Sequence, residues 1–171
     1  MSDHNLKAEL SKELSRLSED ILYTEKAHFA GADTWGRAHW IIGVATVVAG
    51  VASAAAIIVS SVPIAGAVFA LVASAGGALQ TWLKPGDNQA SRTTAGRELG
   101  ALRVEIRQMQ SLRLPGATDQ ELATMVAEAR EIAKRKAAID EKAPAVPPSA
   151  YRAGKKLIQG GEFEHDSVTS D

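Results

Sequence analysis

The strongest constraint on this chain is a gap in its charge. The 46 residues from Ala38 to Leu83 contain no Lys, Arg, Asp or Glu, while all 19 basic and 20 acidic residues fall on either side. A mean hydropathy of -0.06 therefore averages a membrane-like middle with a water-like remainder. A helix needs about 20 residues to cross a hydrocarbon core of ~30 Å. The run holds two crossings and a turn. Ser60-Ser61-Val62-Pro63 marks the turn, and Pro63 suits the first turn of a second helix, where its missing N–H is no loss. The predicted spans are about 39–60 and 63–83. The competing reading is a soluble protein around a buried hairpin. It needs a large apolar wrapping, and each remaining helical segment carries only one apolar stripe.

Two markers orient the hairpin. Trp35, His39 and Trp40 enter it, and Trp82 and Lys84 close it. Both groups fall at one membrane face, where Trp is favoured. Arg37, Lys84, Arg92 and Arg97 flank that face, while the connecting turn is uncharged. The positive-inside rule then places both termini in the cytoplasm. A secretory signal would instead begin near residue 1.

The run is rich in small residues, with 13 Ala, 5 Gly and 4 Ser against 3 Leu and 1 Phe. Small residues let membrane helices approach closely. Gly66, Ala70, Ser74 and Ala78 recur along span two, and Ala45, Ala49, Ala52 and Ala56 along span one. Either the two faces pack within one hairpin, or at least one packs between protomers. Ser74, Gly76-Gly77 and Gln80 make span two the more polar, and so the candidate pore lining.

The flanks extend the hairpin. Leu10, Leu14, Leu17 and Ile21 form a seam before it, and Leu99, Leu102, Ile106 and Met109 form one after it. Such spacing marks helices that pack along one stripe. In an antiparallel pair the residue numbers have a constant sum. Ile21 with Leu102, Leu17 with Ile106, Leu14 with Met109 and Trp40 with Leu83 each sum to 123, centred between Ser61 and Val62. The expected fold is an all-α membrane protein: a two-span transmembrane helical hairpin extended into a cytoplasmic antiparallel helical stalk, plus one or two further soluble helices. Each arm is about 50 residues, or ~75 Å as helix, with kinks expected near Gly31–Gly36 and at Pro85-Gly86.

Leu114-Pro115-Gly116 interrupts the second arm. Thr118 and Glu121 form a Thr-x-x-Glu capping box for a helix with the stripe Leu122, Met125/Val126, Ala129, Ile132/Ala133 and Ile139, ending before Pro144. After Pro144, Pro147 and Pro148, Ser149 is expected to cap a last helix anchored by Tyr151, Leu157 and Ile158 and stopped by Gly160-Gly161. The segments are thus 1–37, an amphipathic cytoplasmic helix; 38–83, the hairpin; 84–160, cytoplasmic helices; and 161–171, an acidic tail.

Catalytic signatures are absent. No phosphate-binding loop, nucleophile elbow or HExxH occurs, and with no Cys there is no thiolate chemistry or disulfide. Interspersed charges of both signs exclude a basic surface for nucleic acid. His28 and His39, eleven residues apart, share a face if the helix is continuous; they read as interfacial residues ahead of a proton or metal site, and Glu25 with His28 as a surface pair. Lys134-Arg135-Lys136 and Lys155-Lys156 read as solvated. No catalytic residue, metal or cofactor is expected.

Three segments carry a resemblance. Leu22-Tyr23-Thr24-Glu25-Lys26-Ala27-His28-Phe29 resembles the entry motif of the SLATT family. Ala78-Leu79-Gln80-Thr81-Trp82-Leu83-Lys84-Pro85 is similar to the end of that family's second span. Pro148-Ser149-Ala150-Tyr151-Arg152, with Gly161-Glu162-Phe163-Glu164-His165-Asp166, resembles its closing segment. The resemblance implies a two-transmembrane bacterial effector of anti-phage defence, non-enzymatic, in the inner membrane. It implies a homo-oligomer that forms a pore or disrupts the bilayer. Its trigger would come from a separately encoded sensor, a nucleotide second messenger or a defence-linked enzyme. Two other roles fit the residues: a membrane anchor that recruits a partner, and a constitutive small-ion channel.

Overall fold

The structure is a computed structural model describing residues 3–59 and 63–160. The turn at 60–62 and the acidic tail at 161–171 lie outside the described residues. Five α-helices are present among them: α1 (Asp3–Val59), α2 (Pro63–Leu83), α3 (Pro85–Gln108), α4 (Asp119–Lys142) and α5 (Pro148–Gln159). A π-helical turn, Met109–Arg113, and a 3-10 turn, Leu114–Gly116, link α3 to α4. There is no strand among the described residues. Two of the helices are long and apolar enough to cross a membrane.

The prolines account for the helix boundaries. The first is Pro63, so nothing interrupts the 57-residue α1, Gly31 and Gly36 included. Pro63, Pro85 and Pro148 each open a helix, where the ring's fixed φ is helical and no N–H is lost. Pro144 and Pro147 occupy the connector before α5. The expected cap at Ser149 is corrected: Pro147 is the cap, so Ser149 falls inside the first turn. At Pro85-Gly86, where a kink is expected, the helix is interrupted. Only Lys84 leaves the helix, with φ 43°. A left-handed residue with a Cβ costs roughly 1–2 kcal/mol. Asn88 holds it there, its side-chain amide donating to the carbonyls of Leu83 at 3.0 Å and Lys84 at 3.3 Å.

The chain divides into two compact units, Met1–Gly31 with Ser91–Asp171, and Ala32–Ala90. In the first, Leu10, Leu14 and Ile21 of α1 share one core with Leu99, Leu102 and Ile106 of α3 and Leu122, Met125, Ala129 and Ile132 of α4, with Met109 and Leu114 closing it. Leu17 packs partly buried against that core. The arms run antiparallel: Ser15 accepts from Gln110 at 3.0 Å, and the Lys7 ammonium donates to the Pro115 carbonyl at 2.6 Å. Bidentate Arg135–Glu105 and Arg113–Glu128 pairs tie α4 to the preceding helical segment, and Lys136 binds Asp20 of α1 at 2.9 Å. Being exposed, the two bidentate pairs fix register more than they stabilise. The capping box forms, with the Thr118 N–H donating to Glu121 Oε2 at 2.7 Å.

The second unit is a helical hairpin of α1 from Ala32 onward, α2 and the first turn of α3. Small residues let its helices touch. A Cβ on Gly66 would lie 2.8 Å from Ile57 Cγ1, and a Cβ on Gly76 would overlap the Thr46 hydroxyl. Ser53 Oγ donates to the Gly66 carbonyl at 2.9 Å, the kind of interhelical bond that holds helices together in lipid.

Candidate functional site

The surface of the hairpin is the first candidate. Of the small residues picked out on α1, Ala49 is buried, Ala52 and Ala56 half-buried, and Ala45 exposed. On α2, Gly66 faces inward, whereas Ala70, Ser74 and Ala78 are exposed. The four do not share one face because a strict i, i+4 repeat drifts by about 40° per step in a helix of 3.6 residues per turn. Gln80 turns inward, its amide 3.1 Å from where a Gly43 Cβ would stand. Gly77 is half-buried, yet a Cβ there would meet nothing within 4 Å. A different small stripe emerges on the outside: Ala67, Ala70, Ser74, Gly77 and Thr81, at 3-4-3-4 spacing. It is separate from the large apolar side chains of α2, Ile64, Val68, Leu71 and Trp82. On α1, Trp40, Val47, Val51 and Ile58 are equally uncovered, Ile58 at 82% exposure. Of the interfacial residues, Trp35 is half-buried, and His39, Trp40, Trp82 and Lys84 are exposed.

The second candidate is a buried polar cluster in the first unit. It gathers residues of the entry and closing motifs. Tyr23 of α1 stacks on Tyr151 of α5, with centroids 6.2 Å apart. Three residues on, Gly154 sits so close to α1 that a Cβ would lie 2.9 Å from the Ala27 nitrogen and 3.0 Å from the Lys26 carbonyl carbon. Backbone cannot yield there, so glycine is the residue that fits. Arg152 points to solvent. Of the expected anchors, Tyr151 is exposed beyond its stacking contact and Leu157 and Ile158 are only half-buried, while Ala150 and Gly154 are buried.

Beneath α5, Glu25, Lys26 and His28 are all buried, so Glu25 and His28 are not the surface pair their spacing suggests. Glu25 pairs with Lys26 at 3.0 Å and lies 3.1 Å from Arg103 Nε. His28 is 2% exposed and Arg92 5%. Arg92 Nη2 donates to the Ala145 carbonyl at 3.0 Å, but its Nε and Nη1 and His28 Nδ1 have no hydrogen-bond partner. Burial pushes the His28 pKa below its ordinary value, and the Arg92 charge pushes the same way against a weaker pull from Asp140. Burial also lowers Arg92. A buried guanidinium without a carboxylate is costly, so this cluster concentrates unfavourable energy.

Arg92 and Gly154 are functional candidates that the sequence reading passed over. A glycine inside a helix, which usually marks close approach, was the available signal for Gly154. Arg92 had none beyond its place after the uncharged run. His28 is buried and His39 exposed. Among the described residues, no group of three His, Asp or Glu is placed to hold a metal. No family model, characterised protein or solved structure matches the chain.

Proposed function

We propose that this chain is a regulated membrane effector whose hairpin spans the bacterial inner membrane and assembles, through the outer small face of α2, into a pore or membrane-disrupting oligomer. Both termini lie in the cytoplasm, where the first unit serves as the stalk that receives the signal. The observation that carries this reading is the split surface of α2. Its large apolar residues form one exposed face, suited to lipid, and its small residues form another, suited to a neighbouring helix. Leaving such side chains in water forgoes roughly 1.5–3 kcal/mol each. The role in anti-phage defence rests on the resemblance of the entry, exit and closing motifs to the SLATT family.

The test is membrane depolarisation in cells with and without phage. Ser74→Leu and Gly77→Leu fill the outer small face without touching the hairpin interior. Both should abolish depolarisation and killing while the protein still inserts. Unchanged killing by both rejects the pore. An anchor that recruits a partner predicts no depolarisation and full function after exchange of the spans for an unrelated hairpin.

A further inference from the structure

The hairpin unit carries a groove that shares Gly77 and Thr81 with the outer small face of α2. It has a volume of about 510 Å³ and is lined by His39 of α1, Gln80, Thr81 and Lys84 at the end of α2, and Asp87 in the first turn of α3. A second trough, of about 350 Å³, runs along α1 over Gly43, between Trp40, Val44, Val47 and Val48. His39 lines both. One recess therefore carries two opposite charges, a cation and a carboxylate. The other is nearly wholly apolar, and they meet at one imidazole.

That pairing is the outline of a single lipid molecule. A soluble anion would have no use for the trough, and an acyl chain alone would have no use for Lys84. Lys84 is the first charge after the uncharged run and would meet a phosphodiester as a point charge. Asp87 would repel a purely anionic headgroup, but it accepts hydrogen bonds from an ammonium. The charge complement is a headgroup carrying both a phosphodiester and a primary ammonium. We propose that the hairpin binds one phospholipid of the ethanolamine class, its headgroup between Lys84 and Asp87 and one acyl chain in the trough over Gly43. This rests on the membrane-spanning reading above.

The full chain, purified in detergent and delipidated, is mixed with ethanolamine, choline and glycerol phospholipids of identical acyl chains, and retained lipid is read by native mass spectrometry. The ethanolamine lipid should be retained at least tenfold over the choline lipid, whose quaternary nitrogen has no proton to give Asp87, and over the anionic glycerol lipid. Asp87→Asn should erase that preference. Lys84→Gly should lower retention of all three about tenfold. Glycine suits φ 43°, so this loss cannot be laid to misfolding. Soluble phosphoethanolamine should compete poorly, because it leaves the trough empty. Equal retention of the three lipids, an unaltered preference in Asp87→Asn, or full competition by phosphoethanolamine each overturns the proposal. Alkaline extraction of cell membranes separates the two failures. A chain that inserts without headgroup preference overturns this site alone, and one that washes off overturns the membrane reading with it.

Discussion

Gly154 is the residue on which α5 docks most directly. With backbone atoms 2.9 and 3.0 Å from its missing Cβ, Gly154→Val must lift the helix from α1. Overpacking of this kind costs roughly 1–3 kcal/mol. The expected result is loss of hydrogen-exchange protection across α5 with α4 unchanged. His28 gives a pH dependence of definite sign. Its pKa is lowered on folding, so below the ordinary value of 6.5 the unfolded chain binds more protons than the folded one. Its contribution is complete above that value and declines as pH falls toward the depressed folded pKa. The thermal midpoint should drop between pH 7.5 and 5.5, and His28→Gln should drop less over the same interval. An equal drop in both proteins would clear His28 of the effect. The sequence made His28 visible as part of a motif, but its burial is a product of tertiary packing, which no local spacing encodes.

Helix boundaries were the most legible level, because proline and capping chemistry act over one turn. Pro63 opens α2 and the Thr118–Glu121 box opens α4 as read, whereas Pro85, expected only to kink the arm, opens α3. Thr118→Ala should cost about 1 kcal/mol, seen as faster exchange in the first turn of α4 and a lower midpoint. The start of α5 was misread because two signals compete there. Ser149 is a good cap, but Pro148 before it already suits the first helical position. At the α2–α3 junction the two strongest breakers, Pro85 and Gly86, are both helical, and the residue that takes the left-handed turn is Lys84. Nothing in lysine's own preferences announces this. The turn arises from the helices on either side and the clamp of Asn88.

For the molecule as a whole, the charge gap was enough to predict two apolar helices. It was not enough to say which small residues face inward. That depends on helix rotation, and a change of about 100° per residue moves Ala70, Ser74 and Ala78 from the hairpin interior to its outside. The distinction is measurable. Gly76→Val drives a side chain into Thr46 and should weaken the hairpin itself, lowering the yield of inserted protein. Ser74→Leu should insert normally and fail only at assembly. Matching insertion defects in both variants would place Ser74 inside.

The stacking of Tyr23 on Tyr151 has a practical consequence. They are the only two tyrosines in the chain, while the three tryptophans, at 35, 40 and 82, all belong to the hairpin unit. The protein thus carries one chromophore in each unit. Near-ultraviolet tyrosine dichroism reports whether α5 is seated, and tryptophan emission reports the surroundings of the hairpin. Both can be followed in one cuvette, on the unlabelled chain, as a trigger is added.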